Sequence, residues 1–243
     1  MAKSTGNKNQ KSWWQKLKRI FLWMVTGQFV YILLLWFINP PITITQMVDV
    51  VKGYGLKKDN ISYVKKDNIS YEAMGPNIKL AVLAAEDQLF PDHNGFDIKA
   101  IKKAQKYNQK HPNKVRGAST ISQQTAKNIF LWQGGGWFRK GLEVYFTFMI
   151  ETLYSKERIL QHYLNVAEMG PGIFGVQAAA KEYFNKDAKN LSRSEAAMIA
   201  ACLRNPKKYT VKPLSKFVSA VSGKILRQMN NIETDPDIAA LLK

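Results

Sequence analysis

Asn77-Ile-Lys-Leu-Ala-Val-Leu-Ala-Ala-Glu-Asp-Gln-Leu-Phe90 puts Ile78, Val82 and Ala85 on one stripe at helical spacing and runs into Pro91, which stops a helix. The segments downstream repeat the pattern. Asp97 can cap a helix reaching about Tyr107, with Ile98 and Ile101 inward. Thr120 and Gln123 have capping-box spacing before a helix to about Leu131. The glycines 134–136 separate this from an apolar helix over about 138–154, and Ser155 caps the next, through Leu164. Helices over 175–184 and 193–203 follow, the second opened by the box Ser192–Glu195. Pro213 is expected to open a helix to about Met229, and Asp235-Pro236 a last short one. Convincing strand alternation is nearly absent. The predicted class is mainly α.

Upstream, the first twenty residues hold six bases (Lys3, Lys8, Lys11, Lys16, Lys18, Arg19) and no acid, and no charge occurs between Arg19 and Asp49. Residues 20–38 are apolar except Thr26, Gly27 and Gln28, and as a helix would span about 28 Å, enough for a bilayer core. Trp13, Trp14 and Trp36 suit the two interfaces, and Pro40-Pro41 ends the run. A signal peptide and a buried core helix are the rival readings; the missing small-residue cleavage site and the basic flank favour a single-pass anchor. The basic flank stays cytoplasmic, so residues 42–243 are expected outside or in the periplasm. The predicted organisation is a basic tail (1–19), a transmembrane helix (20–38), a juxtamembrane linker (39–75) and an exported helical domain (76–243). The linker carries a tandem copy, Lys57-Lys-Asp-Asn-Ile-Ser-Tyr63 and Lys65-Lys-Asp-Asn-Ile-Ser-Tyr71, read as short strands without catalytic meaning. Its Asn-Ile-Ser sequons match glycosylation acceptors by composition alone.

The 243 residues carry a net charge of +18, and +12 remains beyond residue 20, so an anionic partner is expected. For an exported domain, lipid headgroups or lipid-linked phosphates fit better than nucleic acid. The lone Cys202 excludes an internal disulfide and multi-cysteine metal sites, and its apolar run 196–203 makes it a small core residue. Three histidines leave little for a histidine-built metal centre, and no P-loop or Rossmann fingerprint appears.

Three segments carry chemistry. Glu86 follows an apolar run, one turn before the helix break. Desolvation there raises a carboxyl pKa, as a general acid or base requires, although a solvated helix-end acid is the plainer reading. Glu143 shares a helical face with Arg139 and Lys140. That group suits a pyrophosphate, directly or through a divalent ion, or is simply an intrahelical salt bridge. Between them, Arg116-Gly-Ala-Ser-Thr-Ile-Ser-Gln-Gln-Thr-Ala-Lys127 gathers hydroxyls and backbone N–H groups at a helix N-terminus, an anion site or a plain polar cap.

In order, these blocks closely resemble the peptidoglycan glycosyltransferases (glycosyltransferase family 51) from about Leu80 to Met229. The marks are Glu86-Asp-x-x-Phe-x-x-His-x-Gly-Phe-Asp97, Arg116-Gly-Ala-Ser-Thr-Ile-Ser-Gln-Gln124 with Lys127-Asn128, and Arg139-Lys-x-x-Glu143. Ile159-Leu-x-x-Tyr-Leu-Asn165, Gly175 through Ala178-Ala-Ala-x-x-Tyr-Phe184, and Ser194-Glu-Ala-Ala197 complete the series.

The resemblance implies a lysozyme-like helical fold that polymerises lipid II into glycan strands and releases undecaprenyl diphosphate, inverting the donor's anomeric carbon. It implies Glu86 as general base and Glu143 as a second catalytic carboxylate beside the donor diphosphate, helping to hold a divalent cation (Mg2+ or Mn2+). No organic cofactor is implied. Lys127, Arg139 and Lys140 would neutralise the leaving diphosphate. Arg116, Ser119, Thr120, Gln123 and Gln124 would bind substrate, with Asp87, His93 and Asn165 bracing the motifs. The implied partners are lipid II, the growing glycan, bacterial membrane lipids and cell-wall or division proteins; the implied place is the bacterial inner membrane. Phe130, Trp132, Trp137 and Phe138 could dip into the interface or be core.

One departure stands out. Relatives usually carry a phosphate-binding arginine where this chain has Gly134-Gly135-Gly136. No Ser-x-x-Lys set follows, so glycan extension without crosslinking is expected. A lytic, lysozyme-like enzyme would need no diphosphate site, and the cations at 127–140 count against it. A membrane-tethered scaffold leaves Glu143 and its cations unexplained.

Overall fold

The computed structural model describes residues 6–52, 56–58 and 61–243. Lys3 and the first sequon's Asn60 lie outside them. The chain forms two compact units, residues 1–39 and 40–243.

The first unit is one helix, α1 (Gly6–Phe37). Its stretch Trp13–Phe37 is 25 residues long with mean hydropathy 2.0, long and apolar enough to cross a membrane. Most of its large side chains, among them Trp23, Met24 and Phe37, are exposed rather than spent on a protein core.

The second unit is mainly α, as predicted. Its helices are α2 (Ile44–Val51), α3 (Pro76–Glu86), α4 (Ile98–Lys110), α5 (Ile121–Phe130), α6 (Trp137–Leu153), α7 (Lys156–Val166), α8 (Val176–Phe184), α9 (Arg193–Cys202), α10 (Lys216–Ile232) and α11 (Pro236–Leu242). Where a cap is written in the sequence, the helix begins there. Asp97, Thr120, Ser155, Ser192 and Asp235 each accept a backbone N–H of the first turn, and Thr120–Gln123 and Ser192–Glu195 close full capping boxes.

Other expectations are corrected. Helix α3 is buried over the whole of residues 78–84 rather than along one stripe, because α9, α10 and α11 pack around it. Even Lys79 is buried; its ammonium lies 3.5 Å from the Tyr71 ring centroid and donates to the Lys243 carbonyl at 3.3 Å. Pro213 does not open a helix. Ser215 caps α10 instead, accepting from the Val218 N–H. Residues 44–51, expected as linker, form α2, capped by a Thr43–Gln46 box and packed on α5.

Two small sheets also form. β1 (Leu56–Lys58) and β2 (Ile61–Tyr63) pair antiparallel, Leu56 opposite Tyr63. β5 (Ile173–Phe174) lies between β3 (Lys65–Lys66), parallel, and β4 (Glu168–Gly170), antiparallel. The tandem copies therefore part ways. The first supplies arms of a hairpin, whereas the second runs beside β5 and hangs its Ile69 backbone on Asn165, by two hydrogen bonds of 3.0 Å. Cys202 is buried, as expected.

The core positions a cleft. α3 packs on α9 and α10, α5 packs on α6 and α7, and a cavity of about 1420 Å³ opens among α3, α4, α5, α9 and α10.

Candidate active site

α3 ends at Glu86, earlier than predicted, because Asp87 leaves helical geometry at φ −161°. That turn frees the buried Asp87 carboxylate to take the Ile121 N–H at 2.9 Å and the His93 imidazole at 3.0 Å. His93 Nδ1 accepts the Gly95 N–H, which leaves Nε2 as the donor to Asp87. The Gly95 carbonyl accepts the Thr120 hydroxyl at 2.7 Å. Gly95 has φ +86°, and a Cβ there would meet Thr147 Cγ2 at 2.7 Å. The end of α3 is thus tied to the start of α5, and Asp87 and His93 brace it, as the resemblance implied.

Glu86 stands at the cavity wall, half-buried. Gln124 Nε2 donates to its Oε2 at 2.7 Å, and the Tyr163 hydroxyl donates to Gln124 Oε1 at 3.3 Å, which orients the amide. Burial pushes the Glu86 carboxyl above its usual value; the Gln124 bond pulls it back, Asp87 raises it further, and Lys127 and Arg204 oppose. This is a carboxyl prepared to exchange a proton nearer neutrality than a free one.

Arg116, Ser119, Thr120, Gln124 and Lys127 share the cavity with Glu86. The exposed Arg116 guanidinium lies 3.6 Å from the Tyr107 ring centroid. Lys127 has its pKa lowered, first by burial, with the charges of Arg139 and Lys140 acting the same way and Glu143 and Glu86 opposing.

Two expectations shift. Gln123 is buried and takes no part in the cavity wall: its Oε1 accepts the Thr120 N–H at 3.1 Å, so the capping box consumes it. The Thr120 hydroxyl likewise is taken up by the Gly95 carbonyl and the Gln123 N–H.

Arg139, Lys140 and Glu143 line a neighbouring place on α6 rather than the cavity itself. Arg139 donates to Glu143 Oε2 at 2.8 Å and Lys140 to Oε1. Both oxygens of the buried Glu143 are therefore occupied by cations. Among the described residues no group of three or more His, Cys, Asp or Glu is placed to hold a metal. With both Glu143 oxygens taken, these residues do not fit a divalent cation. Arg139 Nε is buried without a hydrogen-bond partner, a donor left for an anion.

A family model described as transglycosylase matches residues 55–230. The chain is 47% identical to the biosynthetic peptidoglycan transglycosylase of Haemophilus influenzae over 92% of this chain and 91% of that one. It is 58% identical to the protein of that name from Mannheimia succiniciproducens over 66% of each chain, and 54% identical to that of Escherichia coli over 68% of each.

The chain belongs to the transglycosylase family.

Two features of this transglycosylase went unread in the sequence. The first is Arg204, just past α9, which lines the cavity; nothing local marks it. The second is a buried acid pair. Lys207 Nζ lies 2.7 Å from Asp49 Oδ1 and 3.8 Å from Glu168 Oε2, while Asp49 Oδ2 and Glu168 Oε1 are buried without hydrogen-bond partners. Glu168 rises from 4.5 to about 7: burial raises it most, Lys207 pulls it back and Asp49 pushes it up. A raised folded-state value favours folding below the ordinary value and costs stability as pH climbs through about 7. Glu168→Gln is expected to stabilise the fold at pH 8 by on the order of 2–3 kcal/mol and to change little at pH 4, read as paired melting curves.

The triglycine loop has its own geometry. Gly135 has φ +102°, and a Cβ there would lie 3.1 Å from Arg139 Cδ and 3.2 Å from Trp132 Nε1. Gly136 has φ −93° and open space. An arginine restored at Gly135 should lower stability by about 1–3 kcal/mol, and one at Gly136 should leave the melting temperature within error.

Proposed function

We propose that this transglycosylase polymerises lipid II into glycan strands with release of undecaprenyl diphosphate. The observation that carries the reading is Glu86, its carboxyl raised by burial, in one cavity with the desolvated cation Lys127, on a chain whose family and relatives are transglycosylases.

Glu86 accepts the proton of the acceptor's 4-hydroxyl as that oxygen attacks the donor's anomeric carbon. The bond from that carbon to the diphosphate oxygen breaks on the opposite face, the configuration inverts, and the electron pair leaves with the diphosphate. Lys127, Arg139 and Lys140 meet the charge that develops there, an interaction strengthened by poor solvation. Ser119 and Gln124 line the path, with Gln124 also holding Glu86 in orientation.

The donor never leaves the bilayer, and α1 keeps the enzyme on it. On this reading the basic flank of α1 stays in the cytoplasm and the catalytic unit works on the periplasmic face of the bacterial inner membrane. Trp132, Trp137 and Phe138 are exposed around the triglycine loop and suit contact with the interface, whereas Phe130 stacks on Phe146 at 4.6 Å. Glycan strands and cell-wall proteins are the partners this reading implies.

Detergent-purified protein incubated with labelled lipid II should yield size-resolved polymer. Shortening of preformed glycan without polymer would replace this reading by the lytic one.

A further inference from the structure

Arg204 is a cation in the cavity wall, outside the groups that serve the base and the leaving diphosphate. It is exposed, and among the described residues it has no carboxylate within ion-pair distance. Its packing partner is the Phe217 ring, 6.0 Å from the guanidinium carbon. A second cavity of about 360 Å³ adjoins the first, and the residues common to both walls are Gln124, Lys127, Leu203 and Arg204. Two of these four are cations, so both cavities have Lys127 and Arg204 in their walls.

We propose that Arg204 is a substrate-binding residue that, with Lys127, holds a diphosphate of a lipid-linked substrate at the junction of the two cavities. The proposal rests on the glycosyltransferase reading and extends it to a residue outside the family blocks read in the sequence. A guanidinium suits this place because its planar fork of donors matches phosphate oxygens bidentately. Among the described residues no carboxylate is ion-paired with it, and Glu86 is the one its charge acts on. Asp87 is engaged by His93 and Ile121, Asp97 caps α4, and Glu168 is nearest Lys207. Arg204 also lies close enough for its charge to lower the Glu86 pKa, so its loss has a signature at the base.

The diphosphate could be the donor's or the acceptor's, and kinetics separates them. The full chain in detergent is assayed with a lipid II whose 4-hydroxyl is capped, which serves only as donor, and with a lipid II analogue whose anomeric carbon is joined to the diphosphate by a non-cleavable C-glycosidic bond, which serves only as acceptor, each varied in turn. Arg204→Gln is expected to raise KM for one of the two about tenfold, the value of one charge-assisted hydrogen bond, with a smaller change in kcat. Arg204→Lys should recover most of the loss. Inhibition by inorganic pyrophosphate should weaken in parallel, and the acid limb of the pH–rate profile should move to higher pH. A rise in the donor's KM assigns the donor diphosphate, and a rise in the acceptor's KM assigns the other; either supports the proposal. Unchanged KM for both with unchanged pyrophosphate inhibition overturns it, as does a fall in kcat alone. Were the wild type to make no polymer, the glycosyltransferase reading would fall, and calorimetric titration of wild type and Arg204→Gln with pyrophosphate would still decide whether Arg204 binds it.

Discussion

Glu86→Gln is expected to reduce polymer formation by about 10³-fold, within the range for removal of a general base, while the protein melts at or above the wild-type temperature. Two facts set this apart from a folding defect. The Gln124 amide can still donate to the new side chain's oxygen, so the Tyr163–Gln124 arrangement survives. The desolvation that raises the Glu86 pKa also makes its charged form costly in the fold, and a neutral amide removes that cost. The pH dependence follows in sign. The base works deprotonated, so the wild-type rate should fall as pH drops through a value above the ordinary glutamate pKa, and the limb should be steep by one proton. Radiolabelled lipid II polymerisation across pH, beside thermal unfolding of both proteins, checks all three outcomes. Full activity in Glu86→Gln would remove this residue from the chemistry altogether.

Lys127→Met should cost about 10²–10³-fold in rate, comparable to losing one preorganised donor aimed at developing charge. Stability should move the other way. The Lys127 pKa is lowered chiefly by burial, so its ammonium is held in a place that disfavours charge, and methionine fills a similar volume without it. Loss of rate joined to an equal or higher melting temperature would mark Lys127 as a residue kept for function at the expense of the fold. A matching fall in both would instead make it structural. The readouts are the same polymerisation assay and melting curves at neutral pH.

Much of the helical framework was readable because its signals are local. Thr120 with Gln123, Ser155, and Ser192 with Glu195 satisfy backbone N–H groups three residues away, so side chain and partner lie within one short stretch of the sequence. The same locality explains an error. Gln123 was legible both as a cap and as a cleft residue, and one amide oxygen serves only one of those duties. Pro213 carried a start signal that Ser215 outcompeted by capping the Val218 N–H. The tandem copy was legible as short strands, but their pairing, and β4 and β5, were not. β3 and β5 are two residues each, too short for any alternation, and exist because distant segments meet. The tandem repeat makes this plain: two identical heptapeptides adopt different pairings because only the second reaches Asn165 and β5.

By itself, then, the sequence determined the apolar helix near the N-terminus, the helices and most of their caps, and the blocks that point to the transglycosylase family. All of these depend on composition or on contacts within a turn or two of chain. Tertiary structure alone decided where Glu86, Lys127 and Arg204 meet, that Glu143 has both oxygens bound to cations, and that Asp49 and Glu168 share Lys207. Each of these is set by packing between helices or across loops, where side chains remote in sequence are brought out of water together and their charges begin to govern one another.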